Sequence, residues 1–414
     1  MVFLTTSLTY KYLGSNEYGI WVTIYSIISW VYFLDFGFSN VIKTKLPTLF
    51  QENNDNKSIL VSTIYIGIGL VSIIILLLFS ILSLFLSVGD FLNINIANFN
   101  PILFLNLSFS VLILIIGNYK ALFSGVVKTH IVEFSMMTIQ VFVFYLIYLL
   151  YKYDLFREYS KISIVSSVFG IVNVVFGVVF SIYFFIKNKN IKVSFKYFNF
   201  DILRINTKLG LKYFIIQACM IIIYSTDYVF ITKYFGPKEV TNYDIILKIF
   251  QTPMLLIIAG LSPFWSVFSE TFVEKKYTWI KKTLIIYNIS FLAFILGIII
   301  LTLIIDNIIY LWVNVKLEIS KTLLFSISIY ITMRAFTAMY NYFLNGINKI
   351  NVTLYLTILG AIINIPICLL LIKNDMGVSG IVIGTCISIL PTTIVLPIQT
   401  FSIINKKIKN NNDN

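Results

Sequence analysis

Residues 11–17 read Lys-Tyr-Leu-Gly-Ser-Asn-Glu, and 222 residues later residues 233–239 read Lys-Tyr-Phe-Gly-Pro-Lys-Glu. Each copy follows one apolar segment and precedes another, so the two copies occupy the same place in two similar halves of the chain. Four identities in seven positions gain weight from this shared placement. An internal duplication in a hydrophobic chain is typical of membrane transporters, whose two halves rock around a central site.

The composition indicates a chain that lies mostly in lipid. Hydrophobic residues make up 58% of it and charged residues only 12%, whereas a soluble protein carries about 25% charged residues. Eleven apolar runs reach the length of about 20 residues that crosses a hydrocarbon core. They are residues 19–42, 59–86, 101–125, 131–151, 162–186, 213–235, 242–268, 283–305, 319–343, 351–372 and 378–402. Uniformly apolar runs of this length satisfy their backbone groups as helices, so the sequence predicts an all-α polytopic membrane protein.

The first thirteen residues are apolar but too short to span, because they make only about 20 Å of helix. Applying the repeat offset matches residues 1–13 to residues 223–235, so the counterpart of residues 213–222 would precede Met1. We therefore interpret residues 1–13 as the outer half of a truncated first span and expect an upstream in-frame extension. The alternative is that these residues are the apolar part of a signal peptide. This alternative is disfavoured because the segment lacks the basic start and the small-residue cleavage site of a signal peptide.

The distribution of positive charge predicts the orientation of the chain. If residues 43–58 face the cytoplasm, 20 Lys and Arg residues lie on that side and 9 on the other, leaving Lys248 and Arg334 inside spans. The predicted protein then crosses the cell inner membrane many times, and its C-terminus is cytoplasmic. The net charge of +13 is explained by this topology and by contact with anionic lipid headgroups, and no nucleic-acid motif is present.

The spans and the repeat predict two lobes. The N-terminal lobe covers residues 1–186 with spans 1 to 6, and the C-terminal lobe covers residues 213–404 with spans 7 to 12. A cytoplasmic tail follows at residues 405–414. Between the lobes, basic residues alternate with aromatic ones over residues 187–212, which fits a short helix on the inner leaflet capped by Asp201, a solvated linker, or both.

Few residues are suited to catalysis or metal binding. His130 is the single histidine, which rules out a histidine-based metal cluster. Cys219, Cys368 and Cys386 lie in apolar spans without ligand spacing and are interpreted as small packing residues. No nucleotide-binding loop or nucleophile motif is present, so the sequence predicts no enzyme, no metal site and no ATP-driven pump.

Ionisable residues inside spans are the strongest functional candidates, because each is costly in hydrocarbon without a partner or a wet cavity. They are Asp35, Asp227, Asp244, Lys248 and Arg334. Asp227 and Arg334 lie near span centres, too deep to reach the headgroups easily, so we expect both to be buried against a charged partner or exposed to a cavity.

Each candidate also has a structural interpretation. Asp244 and Lys248 stand at i and i+4, so they share a helix face and are as well explained by mutual neutralisation as by function. Asp35 fits a helix-packing hydrogen bond near the headgroups. Arg334 would alternatively pair with an acidic residue on a neighbouring span. Tyr330 lies one helical turn before Arg334 and could present its hydroxyl to a sugar.

Several stretches together resemble the Wzx-type O-antigen and polysaccharide flippases. The resemblance covers essentially the whole chain, through loose motifs whose order is moderately specific. The stretches are residues 12–21, residues 34–40 (Leu-Asp-Phe-Gly-Phe-Ser-Asn), residues 225–227, residues 263–270 (Pro-Phe-Trp-Ser-Val-Phe-Ser-Glu), residues 277–282 and residues 377–380. The resemblance implies the fold of the multidrug/oligosaccharidyl-lipid/polysaccharide exporter superfamily, with two six-helix lobes in a V around a central cavity. The incomplete first helix departs from that pattern.

The resemblance also implies a function: moving a polyprenyl-diphosphate-linked oligosaccharide across the inner membrane by alternating access. Its partners would be that lipid-linked oligosaccharide, membrane lipids and other polysaccharide-assembly proteins. One alternative keeps the fold and exports drugs with a coupling cation. Another is a membrane glycosyltransferase or O-antigen polymerase, disfavoured because the longest outward loops are only residues 87–100, 152–161 and 306–318.

Within that expected function, two residues have specific predicted roles. Arg334 would pair with the diphosphate of the cargo, since guanidinium binds phosphate oxygens in a bidentate way that Lys does not reproduce. Asp227 would line the cavity of the second lobe and take up the coupling ion, a proton or sodium. Lys248 is the second candidate for the diphosphate, weakened by its neighbour Asp244.

Overall fold

The computed structural model describes residues 2–33, 35, 37–51, 56–85, 87–94, 99–126, 128–156, 158–261, 263–317 and 319–412. Regular structure in these residues consists of fifteen α-helices and two 3-10 helices, at Trp30–Phe33 and Phe195–Tyr197. The α-helices are α1 (Val2–Ser29), α2 (Phe38–Gln51), α3 (Lys57–Phe85), α4 (Val88–Phe91), α5 (Phe99–Ile116), α6 (Tyr119–Gly125), α7 (Thr129–Tyr153), α8 (Lys161–Lys187), α9 (Phe200–Phe235), α10 (Pro237–Leu261), α11 (Phe264–Val273), α12 (Tyr277–Val313), α13 (Lys321–Gly346), α14 (Asn351–Lys373) and α15 (Gly377–Asn412).

The predicted all-α polytopic fold is confirmed. Among the described residues, ten helical segments are long and apolar enough to cross a membrane by length and composition. They run from Lys57–Ile81 to Gly377–Asn411 and correspond to ten of the eleven predicted full spans. Many of their exposed side chains are large and apolar, including Leu77, Ile300 and Leu303, which suits contact with lipid.

The prediction of one uninterrupted span at residues 19–42 is wrong. Helix α1 ends at Ser29, a 3-10 turn follows, and α2 begins at Phe38. The break is stabilised by Asp35, whose carboxylate accepts hydrogen bonds from the backbone N–H of Gly37 (2.9 Å) and of Ser39 (3.2 Å). These bonds satisfy N–H groups at the start of α2 that have no partner inside the helix, as a helix cap does. Gly37 has a φ of 73°, a conformation that favours glycine.

Both copies of the repeated motif bend the chain at their glycine. Gly14 has a φ of 77° and kinks α1, and Gly236 has a φ of 90° and separates α9 from α10. The segment just after the second copy contacts the first copy, because the hydroxyl of Thr241 donates to the carbonyl of Ser15 at 2.6 Å. A Cβ on Gly19 would lie 1.8 Å from the carbonyl oxygen of Pro237. The close approach of the helix just after the first copy to Pro237 in the second copy therefore requires glycine at position 19.

The chain forms two compact units. The first unit comprises Met1–Ala218 and Thr232–Thr241, and the second comprises Cys219–Ile231 and Asn242–Asn414. In the first unit, fully buried aliphatic and aromatic residues from α2, α3, α6 and α8 form a core around Phe123 and Phe184. In the second, residues from α11, α12, α13 and α15 pack around Phe268 and Phe343.

The chain that follows α8 is held along α3 by hydroxyl groups one helical turn apart. The hydroxyl of Ser58 donates to the carbonyl of Asn190 (3.2 Å) and accepts from the N–H of Lys192 (3.0 Å). Ser62 repeats the pattern with the carbonyl of Lys192 (3.0 Å) and the N–H of Ser194 (3.1 Å). These hydroxyls supply partners to a backbone that has no helix or sheet of its own.

The predicted cap at Asp201 is wrong by two residues. The side chain of Asn199 accepts from the backbone N–H of Ile202 at 3.0 Å and so caps α9. Asp201 lies instead in the first turn of α9, where its negative charge suits the positive end of the helix dipole.

Candidate functional site

Five of the six predicted site residues lie in the second unit, and Asp35 lies in the first. Asp227 is on α9, Asp244 and Lys248 are on α10, and Tyr330 and Arg334 are on α13. Polar side chains on α14 and α15 complete the arrangement. We use the name carboxylate network for a set of hydrogen-bonded side chains in the second unit. It consists of Asp227, Asn364, Thr385 and Ser388, together with the residues that are hydrogen-bonded to them.

Asp227 is 1% exposed and is held by two hydroxyl groups. The hydroxyl of Tyr243 donates to Oδ2 at 3.0 Å, and that of Thr385 donates to Oδ1 at 3.0 Å. Each carboxylate oxygen therefore has one neutral donor. Hydrogen bonds to an ionised acceptor are worth about 1.5–3 kcal/mol each, so this arrangement offsets part of the cost of burying the charge.

Asn364 extends the network from α14 toward α15. It is 0% exposed, and its Nδ2 lies 3.4 Å from the hydroxyl of Thr385 and 3.2 Å from that of Ser388. Thr226 is the neighbour of Asp227 in the sequence, and its hydroxyl lies 3.4 Å from Oδ1 of Asn364. An amide inside an apolar helix needs such partners because lipid offers none.

The expected pair between Asp244 and Lys248 is present. Lys248 Nζ lies 2.8 Å from Asp244 Oδ2, with 3% of the Asp244 side chain and 26% of the Lys248 side chain exposed. The hydroxyl of Tyr228 donates to the other oxygen, Oδ1, at 3.0 Å. This carboxylate is thus neutralised locally, in contrast to that of Asp227.

Arg334 is held by tyrosines. Its guanidinium lies 4.4 Å from the ring centre of Tyr224 and 5.4 Å from that of Tyr330, and Nη1 donates to the Tyr330 hydroxyl at 3.0 Å. Within the described residues, no carboxylate oxygen lies within ion-pair distance of Arg334, so the expected acidic partner on a neighbouring span is not found there. Arg334 interacts electrostatically with Asp227 at longer range.

Asp35 does not join this group. Its two carboxylate oxygens are used by the N–H groups that begin α2, so the predicted helix-packing hydrogen bond is replaced by a helix cap. Its structural role is accounted for by local backbone geometry.

Sequence reasoning missed Tyr224, Tyr243, Asn364 and Thr385. Tyr243 directly precedes Asp244, and Asn364 stands in an apolar run of α14. The usable signal was the rule that a polar side chain inside a span must find a partner. That rule identifies Asn364 but does not tell which span supplies its partner.

Two curated relatives carry names related to O-antigen. The chain is 27% identical over 367 residues to the "Putative O-antigen export protein" of Yersinia pseudotuberculosis, covering 82% of this chain and 77% of that protein. It is 22% identical over 178 residues to the "Putative O-antigen transporter" of Salmonella typhimurium, covering 42% of this chain and 41% of that protein. The latter match spans less than half the length of the relative. No family model matches the chain.

Solved structures share the fold. An inward-facing multidrug resistance MATE transporter of the MOP superfamily superposes with a TM-score of 0.80 at 14% identity, covering 98% of this chain and 94% of that one. The outward-facing form of a multidrug resistance MATE transporter gives 0.65 at 16% identity, with 98% and 92% covered. A MOP transporter from Pyrococcus furiosus, reported with a binding pocket of reverse polarity, gives 0.64 at 16% identity, with 98% and 91% covered. The chain is thus similar in sequence to two proteins named for O-antigen transport or export, and it shares the fold of the MOP-superfamily transporters, as the resemblance implied.

Proposed function

We propose that this chain, a multi-pass membrane transporter of the multidrug/oligosaccharidyl-lipid/polysaccharide exporter superfamily, moves a polyprenyl-diphosphate-linked oligosaccharide across the inner membrane. The cargo would be an O-antigen or capsule repeat unit. The observation that carries the proposal is the environment of Arg334, a cation on a membrane helix whose contacts among the described residues are to tyrosines and not to a carboxylate.

The tyrosine contacts leave the guanidinium suited to an anion. A guanidinium has five N–H donors, and one contact to the Tyr330 hydroxyl uses a single nitrogen, Nη1. The ring of Tyr224 stabilises the charge through a cation–π contact without neutralising it. The remaining donors match two phosphate oxygens in the fork geometry of Arg. A diphosphate is the part of a lipid-linked sugar that carries such oxygens.

The arrangement is less suited to one form of the drug-export alternative, in which the drug is itself a cation. Exporting a cation would favour an accessible carboxylate, but Asp244 is paired with Lys248 at 2.8 Å and Asp227 is 1% exposed. Both acids are engaged inside the protein. Lys248 is partly exposed and remains the second candidate for contact with the diphosphate.

We further propose that Asp227 takes up the ion that drives the cycle, a proton or sodium. Among the described residues, its carboxylate accepts hydrogen bonds from the neutral side chains of Tyr243 and Thr385 alone, so a cation bound there would neutralise it. A buried charge that lacks a bonded counter-ion is costly in a membrane, and this cost supplies a driving force for uptake.

The positive charges near the ends of the spans favour a cytoplasmic C-terminus.

The test is complementation of a flippase-deficient strain by Arg334→Ala and Arg334→Lys, with protein levels in the membrane measured in parallel. We expect Arg334→Ala to abolish glycan export at normal protein levels and Arg334→Lys to restore it only partly. Lys373→Ala, at the exposed end of α14, removes the same charge and serves as the control. Full export by Arg334→Ala would rule out the proposed role, and loss of the protein itself would indicate a structural one.

A further inference from the structure

The first unit contains a small cavity in which aromatic rings and neutral polar groups meet. The cavity lies among α1, α5 and α8 and has a volume of about 20 Å³. Its lining includes Tyr25, Phe169, Asn106, Asn173 and Ser166. Among the described residues that line it, none is an aspartate, glutamate, lysine or arginine. The chemistry of the cavity is therefore that of rings, amides and hydroxyl groups.

Three hydrogen-bonding positions in this lining are open. Asn106 donates through Nδ2 to the carbonyl of Ile102 at 2.8 Å and to the hydroxyl of Ser166 at 2.9 Å. Asn173 donates to the carbonyl of Phe169 at 2.8 Å. Within the described part of the chain, the Oδ1 atoms of both asparagines accept no hydrogen bond, and the Ser166 hydroxyl donates none. Asn106 is only 7% exposed, and an amide oxygen buried to that extent normally has a partner.

The open positions suit a hydroxyl group. Two of them are acceptors and one is a donor, and a hydroxyl group both donates and accepts. A cation would use acceptors alone, and an anion would use donors alone. One water needs roughly 10–15 Å³, so a cavity of about 20 Å³ admits one hydroxyl group but no sugar ring. The ring of a bound sugar would therefore lie at the opening of the cavity.

Tyr25 offers an aromatic surface for such a ring. Its side chain is 42% exposed, although its ring centre lies 5.6 Å from that of Trp21 and 6.3 Å from that of Phe169. Trp21 and Phe169 also pack together, at 5.1 Å. Because this cluster holds the Tyr25 ring in place, little side-chain freedom is lost on binding. The C–H face of a pyranose is apolar and packs on an aromatic ring of this kind.

The cavity lies within membrane spans. Asn106 belongs to the span Phe99–Gly125, and Asn173 lies near the middle of the span Lys161–Lys187. Hydrocarbon offers no hydrogen bonds, so open amide oxygens at this depth are costly unless they meet water or a polar ligand. A sugar that crosses the membrane has to pass through this depth. The open positions are thus placed where a passing sugar could use them.

We propose that this cavity is a subsite for one hydroxyl group of a neutral pyranose whose ring stacks on Tyr25. The inference rests on the proposed transport of an oligosaccharide. It goes further by assigning recognition of a sugar ring to residues of the first unit, as distinct from the proposed contact of Arg334 with the diphosphate.

The test measures binding of the methyl glycosides of glucose, galactose and N-acetylglucosamine to the purified full-length protein by saturation-transfer NMR. These probes have a pyranose ring but neither phosphate nor lipid. The protein is kept in lipid nanodiscs, because detergents with sugar headgroups would compete. We expect at least one probe to bind with a Kd of about 1–10 mM, as befits a small ligand with few contacts. Sorbitol, which has hydroxyl groups but no ring, should show no saturable binding.

Two positions are varied. Tyr25→Leu removes the aromatic surface and should raise the Kd by about tenfold or more, whereas Tyr25→Phe keeps the ring and should raise it by less than about threefold. Asn173→Ala removes one open acceptor and should raise the Kd by about fivefold, the worth of one hydrogen bond. Asn173 is half-buried, so this variant repeats the test if Tyr25→Leu folds poorly.

Each variant has a matched control outside the cavity. Tyr145→Leu removes an exposed tyrosine on α7. Asn188→Ala removes an amide that, like that of Asn173, donates to a carbonyl of the preceding helical turn at 2.8 Å. Both controls should bind the glycosides with the wild-type Kd.

The outcomes separate this subsite from the proposed role of Arg334. Arg334→Ala should bind the glycosides as the wild type does, even where it exports no glycan. Full export by Arg334→Ala together with glycoside binding would rule out that role of Arg334 and support the subsite. The subsite is overturned if none of the three glycosides binds, if sorbitol binds equally well, if Tyr25→Leu keeps the wild-type Kd, or if Arg334→Ala loses glycoside binding.

Discussion

The two units contain polar cores of different charge. In the first unit, Asn106 donates to Ser166 at 2.9 Å and to the carbonyl of Ile102 at 2.8 Å, and all three groups are neutral. In the second unit, a similar combination of amide and hydroxyl groups surrounds the carboxylate of Asp227. Polar packing inside a span therefore needs no charge, as the first unit demonstrates. The charge in the second unit costs free energy that packing alone does not explain.

The repeat places the same difference at matched positions. Shifting by 222 residues, Asp227 corresponds to Thr5, Asp244 to Val22 and Lys248 to Ser26. Thr5, Val22 and Ser26 are buried, at 3%, 7% and 7% exposure. Buried positions that are neutral in the first copy are thus ionisable in the second. At these three positions the ionisable side chains therefore belong to the second copy and the neutral ones to the first.

The largest expected effect comes from introducing a charge into the neutral core. Asn106→Asp places a carboxylate where the neighbours are arranged for an amide, and it removes the donor that Ser166 and the Ile102 carbonyl use. We expect the free energy of unfolding in detergent to fall by about 3–5 kcal/mol, the cost of an uncompensated buried charge. Asn106→Ser is the uncharged control. An equally stable Asn106→Asp protein would show that charge tolerance does not distinguish the two units.

The next effect comes from removing the charge of the carboxylate network. Asp227→Asn keeps the side-chain shape but loses the charge-assisted bonds from Tyr243 and Thr385. Because the proposed coupling ion then has no counter-charge, we expect export to fall about tenfold or more, which corresponds to about 1.4 kcal/mol or more. Export measured against pH and sodium concentration should also lose its dependence on the coupling ion.

Asp306→Asn is the matched control for this variant, because Asp306 is an exposed acid on α12. It makes the same change in charge outside the network. Unchanged export by Asp227→Asn over the whole range of pH and sodium would contradict the proposed coupling role.

A smaller effect is expected at the paired acid. Lys248→Met removes the contact at 2.8 Å and leaves Asp244 with the hydroxyl of Tyr228. Because Lys248 is 26% exposed, water screens the pair, and we expect unfolding to become easier by about 1–2 kcal/mol. Lys248→Arg should retain most of that stability. If export falls more in Lys248→Met than stability explains, Lys248 also contacts the cargo.

The sequence was sufficient for the parts of the structure that depend on local composition. Long apolar runs identified the helical spans, and the i, i+4 spacing of Asp244 and Lys248 identified their contact. It was insufficient where partners come from distant segments. The bonds of Asp227 to Thr385, 158 residues away, and of Asn364 to Ser388 depend on helix packing that no short motif records. The break before α2 was missed because apolarity hid a local cap at Asp35.

The smallest expected effect is at Asp35, and it tests whether acids in the two units have different roles. Asp35→Ala removes the acceptor for the N–H groups of Gly37 and Ser39, so the free energy of unfolding should fall by about 1 kcal/mol. Asp35→Asn keeps one acceptor oxygen, and so one of the two bonds, and should lose about half of that amount. Because the carboxylate acts through the start of α2, export should track protein level in both variants. If Asp35→Asn loses export while its stability and protein level stay normal, the purely structural role of Asp35 is contradicted. The charge of Asp35 would then be needed for transport, as we propose for the charge of Asp227.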